Sequence, residues 1–182
     1  AGNGVTFPAD ERGGLYDAVL VDVPCSCDAT LRKNPKVPLG QDDERRSRTA
    51  GVQRALLRRA LALCRPGGRV VYSTCSFAPQ ENEAVVNDVL ADPVGPSRPK
   101  PQPSGRGEQR EPPVFSLRHC QVSGLRVSPG LSAWGGQEFH PDVGAKTMRL
   151  WPHHNDTGGF FVAVFDVLGG DWAPTGEGEG AP

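Results

Sequence analysis

Residues 17–26, Asp17-Ala18-Val19-Leu20-Val21-Asp22-Val23-Pro24-Cys25-Ser26, and their later counterpart 69–76, Arg69-Val70-Val71-Tyr72-Ser73-Thr74-Cys75-Ser76, decide the fold of this chain. Each holds a short apolar, β-branched run, the composition of a strand covered on both faces, and each runs into a Cys-Ser pair. Both are read as interior parallel strands. Between them, residues 49–64 place Val52, Leu56, Ala60 and Leu63 three to four positions apart, with Gln53, Arg54, Arg58 and Arg59 elsewhere on the wheel. That is an amphipathic helix. Ser47 or Thr49 stands where a cap belongs, and Pro66-Gly67-Gly68 is read as ending the helix and turning the chain into the second strand. A right-handed strand-helix-strand connection lays the two strands parallel, with their C-terminal ends on one edge of the sheet. Ligands of open α/β sheets bind at that edge, so Cys25 and Cys75 together predict a site rather than core filling.

At these residues the chain resembles the Sun/Nop-family RNA cytosine-5 methyltransferases, whose two active-site cysteines lie in a Pro-Cys-Ser and a Thr-Cys-Ser motif. Within that family it looks most like the eukaryotic branch that methylates tRNA at several sites. Leu31-Arg32-Lys33-Asn34, Gln80-Glu81-Asn82-Glu83-Ala84-Val85-Val86, and residues 151–164, from Trp151-Pro152-His153-His154 to Phe160-Phe161-Val162-Ala163-Val164, carry the same likeness. It covers residues 16–90 and 147–165 and is weak between them.

The resemblance implies methyl transfer from S-adenosyl-L-methionine to C5 of cytosine in tRNA. Cytosine C5 is a poor nucleophile; a thiolate added at C6 makes it enamine-like, and covalent catalysis splits one hard step into easier ones. By family likeness Cys75 is the nucleophile and Cys25 assists release of the adduct. Spacing alone brings two thiols to one edge and does not say which attacks. Asp22, three residues before Cys25, corresponds to the family's acid between methyl donor and base, where it would stabilise charge developing at N3. The target base has to leave its stack to be reached. Nuclear and nucleolar residence is implied in the same way. Where the family usually has Gly after Pro-Cys-Ser, this chain has Cys27, and a glycine there would permit a left-handed or close-packed backbone.

The fold class expected is α/β, the C-terminal half of a doubly wound, Rossmann-like S-adenosylmethionine-dependent methyltransferase sheet. The Gly-rich loop after a first strand and the acid ending a second, which hold the cofactor in that class, are not found in the sequence. The chain is therefore expected to be a fragment starting just before the fourth strand, inactive alone. Residues 1–92 are read as a partial methyltransferase core carrying both cysteine motifs, 93–113 as a disordered Pro/Gly/Arg-rich insertion, 114–168 as the remainder of the catalytic domain, and 169–182 as a disordered tail. The insertion and tail together hold 8 of the 23 glycines and 9 of the 18 prolines.

A formal charge of −1 gives no global basic field. Local patches suffice for phosphate contacts: Arg32 and Lys33 beside the first motif are read as facing RNA, with Lys36 close by. The helix arginines, Arg45, Arg46, Arg48, Arg54, Arg58 and Arg59, are equally well a solvated face beside Asp42, Asp43 and Glu44. Five cysteines without a secretory or membrane segment predict free thiols in a reducing compartment, and no membrane partner. No metal is expected, because Cys25-X-Cys27 with His153-His154 lacks the spacers of a structural zinc site.

Residues 79–90 read as a helix with Glu81 and Glu83 near its positive end, which capping explains without function. Residues 147–151 and 160–165 read as a covered strand pair, which by the resemblance completes the sheet. His153 and His154 fall in the joining loop and read by themselves as exposed loop histidines; the resemblance makes contact with RNA an equal expectation. Burial is expected for Trp151. The rival reading is a non-catalytic truncated product that binds RNA. A DNA cytosine-5 methyltransferase is disfavoured by the Thr-Cys-Ser motif, and a thiol redox protein by the lack of Cys-X-X-Cys.

Overall fold

The computed structural model describes residues 3–7, 16–36, 43–93, 95 and 114–169. Most of the expected insertion at 93–113, and the expected tail beyond Gly169, lie outside the described residues. The strands are β1 (Tyr16–Asp22), β2 (Cys64–Thr74), β3 (Val114–Arg118), β4 (Ser128–Pro129), β5 (Ala133–Trp134), β6 (Gln137–Glu138), β7 (Met148–Leu150) and β8 (Phe160–Gly169). The helices are α1 (Asp43–Leu63), α2 (Glu83–Ala91), α3 (Pro141–Lys146) and α4 (Pro152–Asn155). None of the described helices is long and apolar enough to cross a membrane.

β1 and β2 pair in parallel, Val19 opposite Val70 and Asp22 opposite Ser73, across the helix α1. This is the strand-helix-strand unit that the sequence predicts. β8 pairs antiparallel with β2, with Val70 opposite Phe165 and Tyr72 opposite Ala163. The other side of β8 takes β7 and β3, and β4 joins β7, giving the order β1-β2-β8-β7-β4 with β3 also on β8. The strand pair expected at 147–151 and 160–165 is thus present as β7 and β8. The sheet is mixed α/β, consistent with a partial Rossmann-like methyltransferase domain, and antiparallel beyond its first pair.

One face of this sheet carries the core. Val70, Tyr72, Leu117, Phe161, Ala163, Phe165 and Val167 pack with Leu57 and Leu61 of α1 and Val85, Val86 and Val89 of α2. Leu57, Leu61, Val70, Tyr72, Phe161 and Phe165 are completely buried. Leu20 looks out from the opposite face and is 73% exposed. The expectation that β1 is covered on both faces is corrected: among the described residues it has one sheet neighbour, and the core lies on one side of it.

The helix also departs from its expected form. It starts at Asp43, ahead of Ser47 and Thr49, and Thr49 Oγ1 donates to the Arg45 carbonyl at 3.0 Å, one turn back inside the helix, instead of capping it. Its buried stripe is Ala50, Gln53, Leu57, Ala60 and Leu61, whereas Val52 is 47% exposed. Gln53, read as a polar-face residue, is fully buried because its Nε2 donates to the Pro24 carbonyl at 2.8 Å. The turn at Pro66-Gly67-Gly68 becomes an outward loop within β2: the register passes from Tyr16 opposite Cys64 to Ala18 opposite Arg69. A Cβ on Gly68 would lie 2.7 Å from the Asp17 carbonyl oxygen, so this close approach requires glycine.

Candidate active site

Both cysteine tripeptides leave the C-terminal edge of the parallel pair, and the backbone there continues the sheet's hydrogen bonding. Val23 N donates to the Ser73 carbonyl at 3.1 Å, and Ala29 N to the Cys75 carbonyl at 3.2 Å. The two thiols meet, with Cys25 Sγ 3.4 Å from Cys75 Sγ. Cys27 joins them, its sulfur 3.8 Å from that of Cys25. All three are partly exposed, and no described cysteine is in a disulfide.

What holds the thiols together lies beneath them. Glu81 is fully buried, and its Oε2 accepts from Ser26 N at 3.0 Å and from Ser26 Oγ at 2.8 Å. Ser26 Oγ is in turn 2.9 Å from Ser76 Oγ, so the residue after each motif cysteine is tied to its counterpart. Asn82, also fully buried, accepts from Thr74 Oγ1 at 2.6 Å and donates from Nδ2 to the Ser76 carbonyl at 2.9 Å. Tyr72 OH donates to the Glu81 carbonyl at 2.6 Å and fixes the turn that carries these two side chains.

The reading of Glu81 and Glu83 as capping charges is therefore corrected. Residues 79–81 form a separate 3-10 turn, and α2 begins at Glu83. Glu81 clamps the first motif, while Glu83 is fully buried against Arg149 on β7, with Nε at 2.6 Å from Oε1 and Nη2 at 2.5 Å from Oε2. Arg149 also donates to the Phe77 carbonyl at 3.0 Å, and Phe77 stacks on a half-buried Trp151 with ring centroids 5.2 Å apart. Gln53, Glu81, Asn82, Glu83 and Arg149 are the supporting residues that sequence reasoning missed.

Cys27 adopts φ 58° and ψ 17°, the left-handed region where a glycine would sit without strain. Asp28 behind it accepts from Phe77 N at 2.6 Å and faces Arg46 at 3.7 Å. Asp22 ends β1 exposed to solvent, its Oδ1 accepting from Ser73 Oγ at 2.9 Å. Burial pushes both motif thiols above the ordinary thiol value. At Cys75 burial is the main cause; Cys27 and the Asp22 carboxylate push the same way, and the contact with Cys25 opposes them.

Other predicted contacts sort differently. Arg32 is ion-paired with Asp156 and, with Lys33, Thr157 and Phe160, lines a cleft beside the loop that enters β8. Several helix arginines are occupied by acids or carbonyls: Arg48 by Glu44, Arg54 by Asp88, Arg58 by Asp92 and Arg59 by the Phe7 carbonyl. This favours the solvated-face reading for them. His153 and His154 lie in α4 with ring centroids 4.2 Å apart.

The profile of a family described as 16S rRNA methyltransferase RsmB/F matches residues 2–166. The chain belongs to the RsmB/F methyltransferase family. The chain is 32% identical to the tRNA (cytosine(34)-C(5))-methyltransferase of Drosophila melanogaster, over 83% of its own length and 22% of the relative's. It is 33% identical to the multisite-specific tRNA:(cytosine-C(5))-methyltransferase of Saccharomyces cerevisiae, over 84% and 24%. A 28S rRNA (cytosine-C(5))-methyltransferase of Mus musculus is 31% identical over 84% of this chain and 17% of that protein. This RsmB/F chain thus spans about a quarter or less of the length of these relatives. Among solved structures, a methyltransferase homolog protein from Pyrococcus horikoshii superposes with a TM-score of 0.63 at 26% identity, covering 87% of this chain and 41% of that one. NSun6 from the same organism, determined with SFG, gives 0.59 at 25%, covering 86% and 31%.

Proposed function

We propose that this RsmB/F chain carries the base-facing half of an active site that transfers a methyl group from S-adenosylmethionine to C5 of cytosine in tRNA. The observation that supports this most directly is the 3.4 Å approach of Cys25 and Cys75 at the C-terminal edge of the parallel strands. In this reading the Cys75 proton leaves and its sulfur adds to C6 of a base drawn out of its stack, moving the electron pair of the 5,6 double bond towards C5. Asp22, at the same edge and open to solvent, shares a proton with the ring at N3 as charge develops there. S-adenosylmethionine supplies the electrophilic methyl. Once C5 has given its proton to solvent, that electron pair re-forms the 5,6 double bond, the carbon–sulfur bond breaks with the Cys75 sulfur leaving as a thiolate, and Cys25, in contact with that sulfur, assists the release.

Asp22 is the residue here that fits the cofactor; its carboxylate is exposed at the crevice end of β1. The rest of the cofactor's cradle is proposed to come from polypeptide beyond these 182 residues, a reading supported by the share of each relative that the chain spans. The tRNA substrate is supported by the Drosophila and yeast relatives, and nuclear or nucleolar residence is proposed with it.

The test is transfer of labelled methyl from S-adenosylmethionine to unmodified tRNA by the complete enzyme that carries this chain, with covalent RNA–protein adducts followed on denaturing gels. Cys75→Ala is expected to abolish adduct and methylation together, and Cys25→Ala to accumulate adduct. The reverse pattern would exchange the two roles. Binding of tRNA without any transfer would favour the non-catalytic reading.

A further inference from the structure

Three thiols meet at this site where the two-thiol chemistry uses two. Cys27 reaches the others because its left-handed backbone swings its side chain back towards Cys25, 3.8 Å between sulfurs, and the Sγ atoms of Cys25, Cys27 and Cys75 all lie within 4.8 Å of one another. Zinc–thiolate bonds are about 2.3 Å long, which places two sulfurs of a tetrahedral site about 3.8 Å apart. Of the three separations, that between Cys25 and Cys27 is 3.8 Å, that between Cys25 and Cys75 is 3.4 Å, and the third is within 4.8 Å. The three thiols are each half-buried, and in a tetrahedral site the fourth position would be taken by a water.

We propose that Cys25, Cys27 and Cys75 form a three-thiolate site for a zinc ion. Binding exchanges three S–H protons, released to solvent, for three Zn–S bonds, and no oxidant or reductant takes part. The sequence argument against zinc paired Cys25 and Cys27 with the two histidines; the third donor is instead Cys75, delivered from the neighbouring strand. The site belongs to this chain through Cys27, since a glycine at that position leaves only two thiols. Occupancy would hold both motif thiols, but the proposal does not rest on methyl transfer, because its readout is the metal itself.

The experiment is titration of the reduced, metal-free 182-residue chain with Zn2+ in competition with a chromophoric chelator, and with Co2+ to read sulfur-to-metal charge-transfer absorption. One Zn2+ per chain and a thiolate charge-transfer band are expected. Loss of an outer-shell partner of a metal ligand typically costs about 10–100-fold in affinity, so loss of a ligand, as in Cys27→Gly, should weaken binding by at least about tenfold. Cys27→Ser should do the same, and Cys120→Ser should change nothing. Glycine suits the left-handed backbone at 27, so a loss in Cys27→Gly cannot be ascribed to misfolding, and far-UV circular dichroism checks this. Unchanged affinity in Cys27→Gly, no stoichiometric binding by a folded chain with all thiols free, or dependence on Cys120 would each overturn the site.

Discussion

Cys27 is the residue at which this chain bears a local cost. A non-glycine residue held in the left-handed region costs about 1–2 kcal/mol, and a glycine returns part of that through the extra freedom of the unfolded chain, about 0.5–1 kcal/mol. Cys27→Gly should therefore stabilise the fold by about 0.5–1 kcal/mol, read as a shift of the urea midpoint at constant slope. The same substitution acts on Cys75. Burial disfavours the thiolate, so the reactive form of Cys75 is populated only as pH rises above the ordinary thiol value of about 8.5. The rate of Cys75 alkylation by iodoacetamide, followed by mass spectrometry, should have its midpoint above that pH. Because Cys27 pushes the Cys75 thiol further up, Cys27→Gly should move the midpoint down.

Among the elements, the joint between α2 and β7 rests on a buried ion pair. Glu83 and Arg149 are 66 positions apart in sequence, and Arg149 is 3% exposed. Arg149→Met leaves the Glu83 carboxylate buried without its counter-ion, which should cost about 3–5 kcal/mol in chemical denaturation. The double variant Glu83→Leu/Arg149→Met should recover much of that loss, since a buried pair is often replaceable by well-packed apolar groups. The sequence told one part of this story and hid another. The runs 17–22 and 69–73, with a helical period between them, were enough to place two parallel strands and bring Cys25 and Cys75 to one edge. The helix stripe was ambiguous because Val52 and Leu56 fit one seam and Leu57 and Leu61 another, and the need of the Pro24 carbonyl for a donor is not written in the periodicity. Glu81 and Glu83 were misread for a similar reason: acids at a helix start look like dipole partners until Ser26 and Arg149 arrive from 55 and 66 residues away.

Over the whole molecule, among the described residues, the sheet is unevenly dressed, with a packed face between β2, β8 and the helices and Leu20 exposed on the other. Leu57→Ala, inside the packed face, should cost about 2–5 kcal/mol. Leu20→Lys should change stability by no more than about 0.5 kcal/mol. It should also reduce self-association in sedimentation velocity, because β1 is an edge strand among the described residues and an apolar residue there invites pairing with another chain. A stability loss for Leu20→Lys as large as that of Leu57→Ala would show that this face is packed. The staple of Ser26, Glu81 and Ser76 has a further consequence. It sets the spacing of the two loops without using either sulfur, so scaffold and reagent are separable parts. A chain with Cys25 and Cys75 both changed to alanine should keep the native contour of the crevice while lacking both motif thiols, a decoy with which the proposed RNA substrates could be fished out and sequenced.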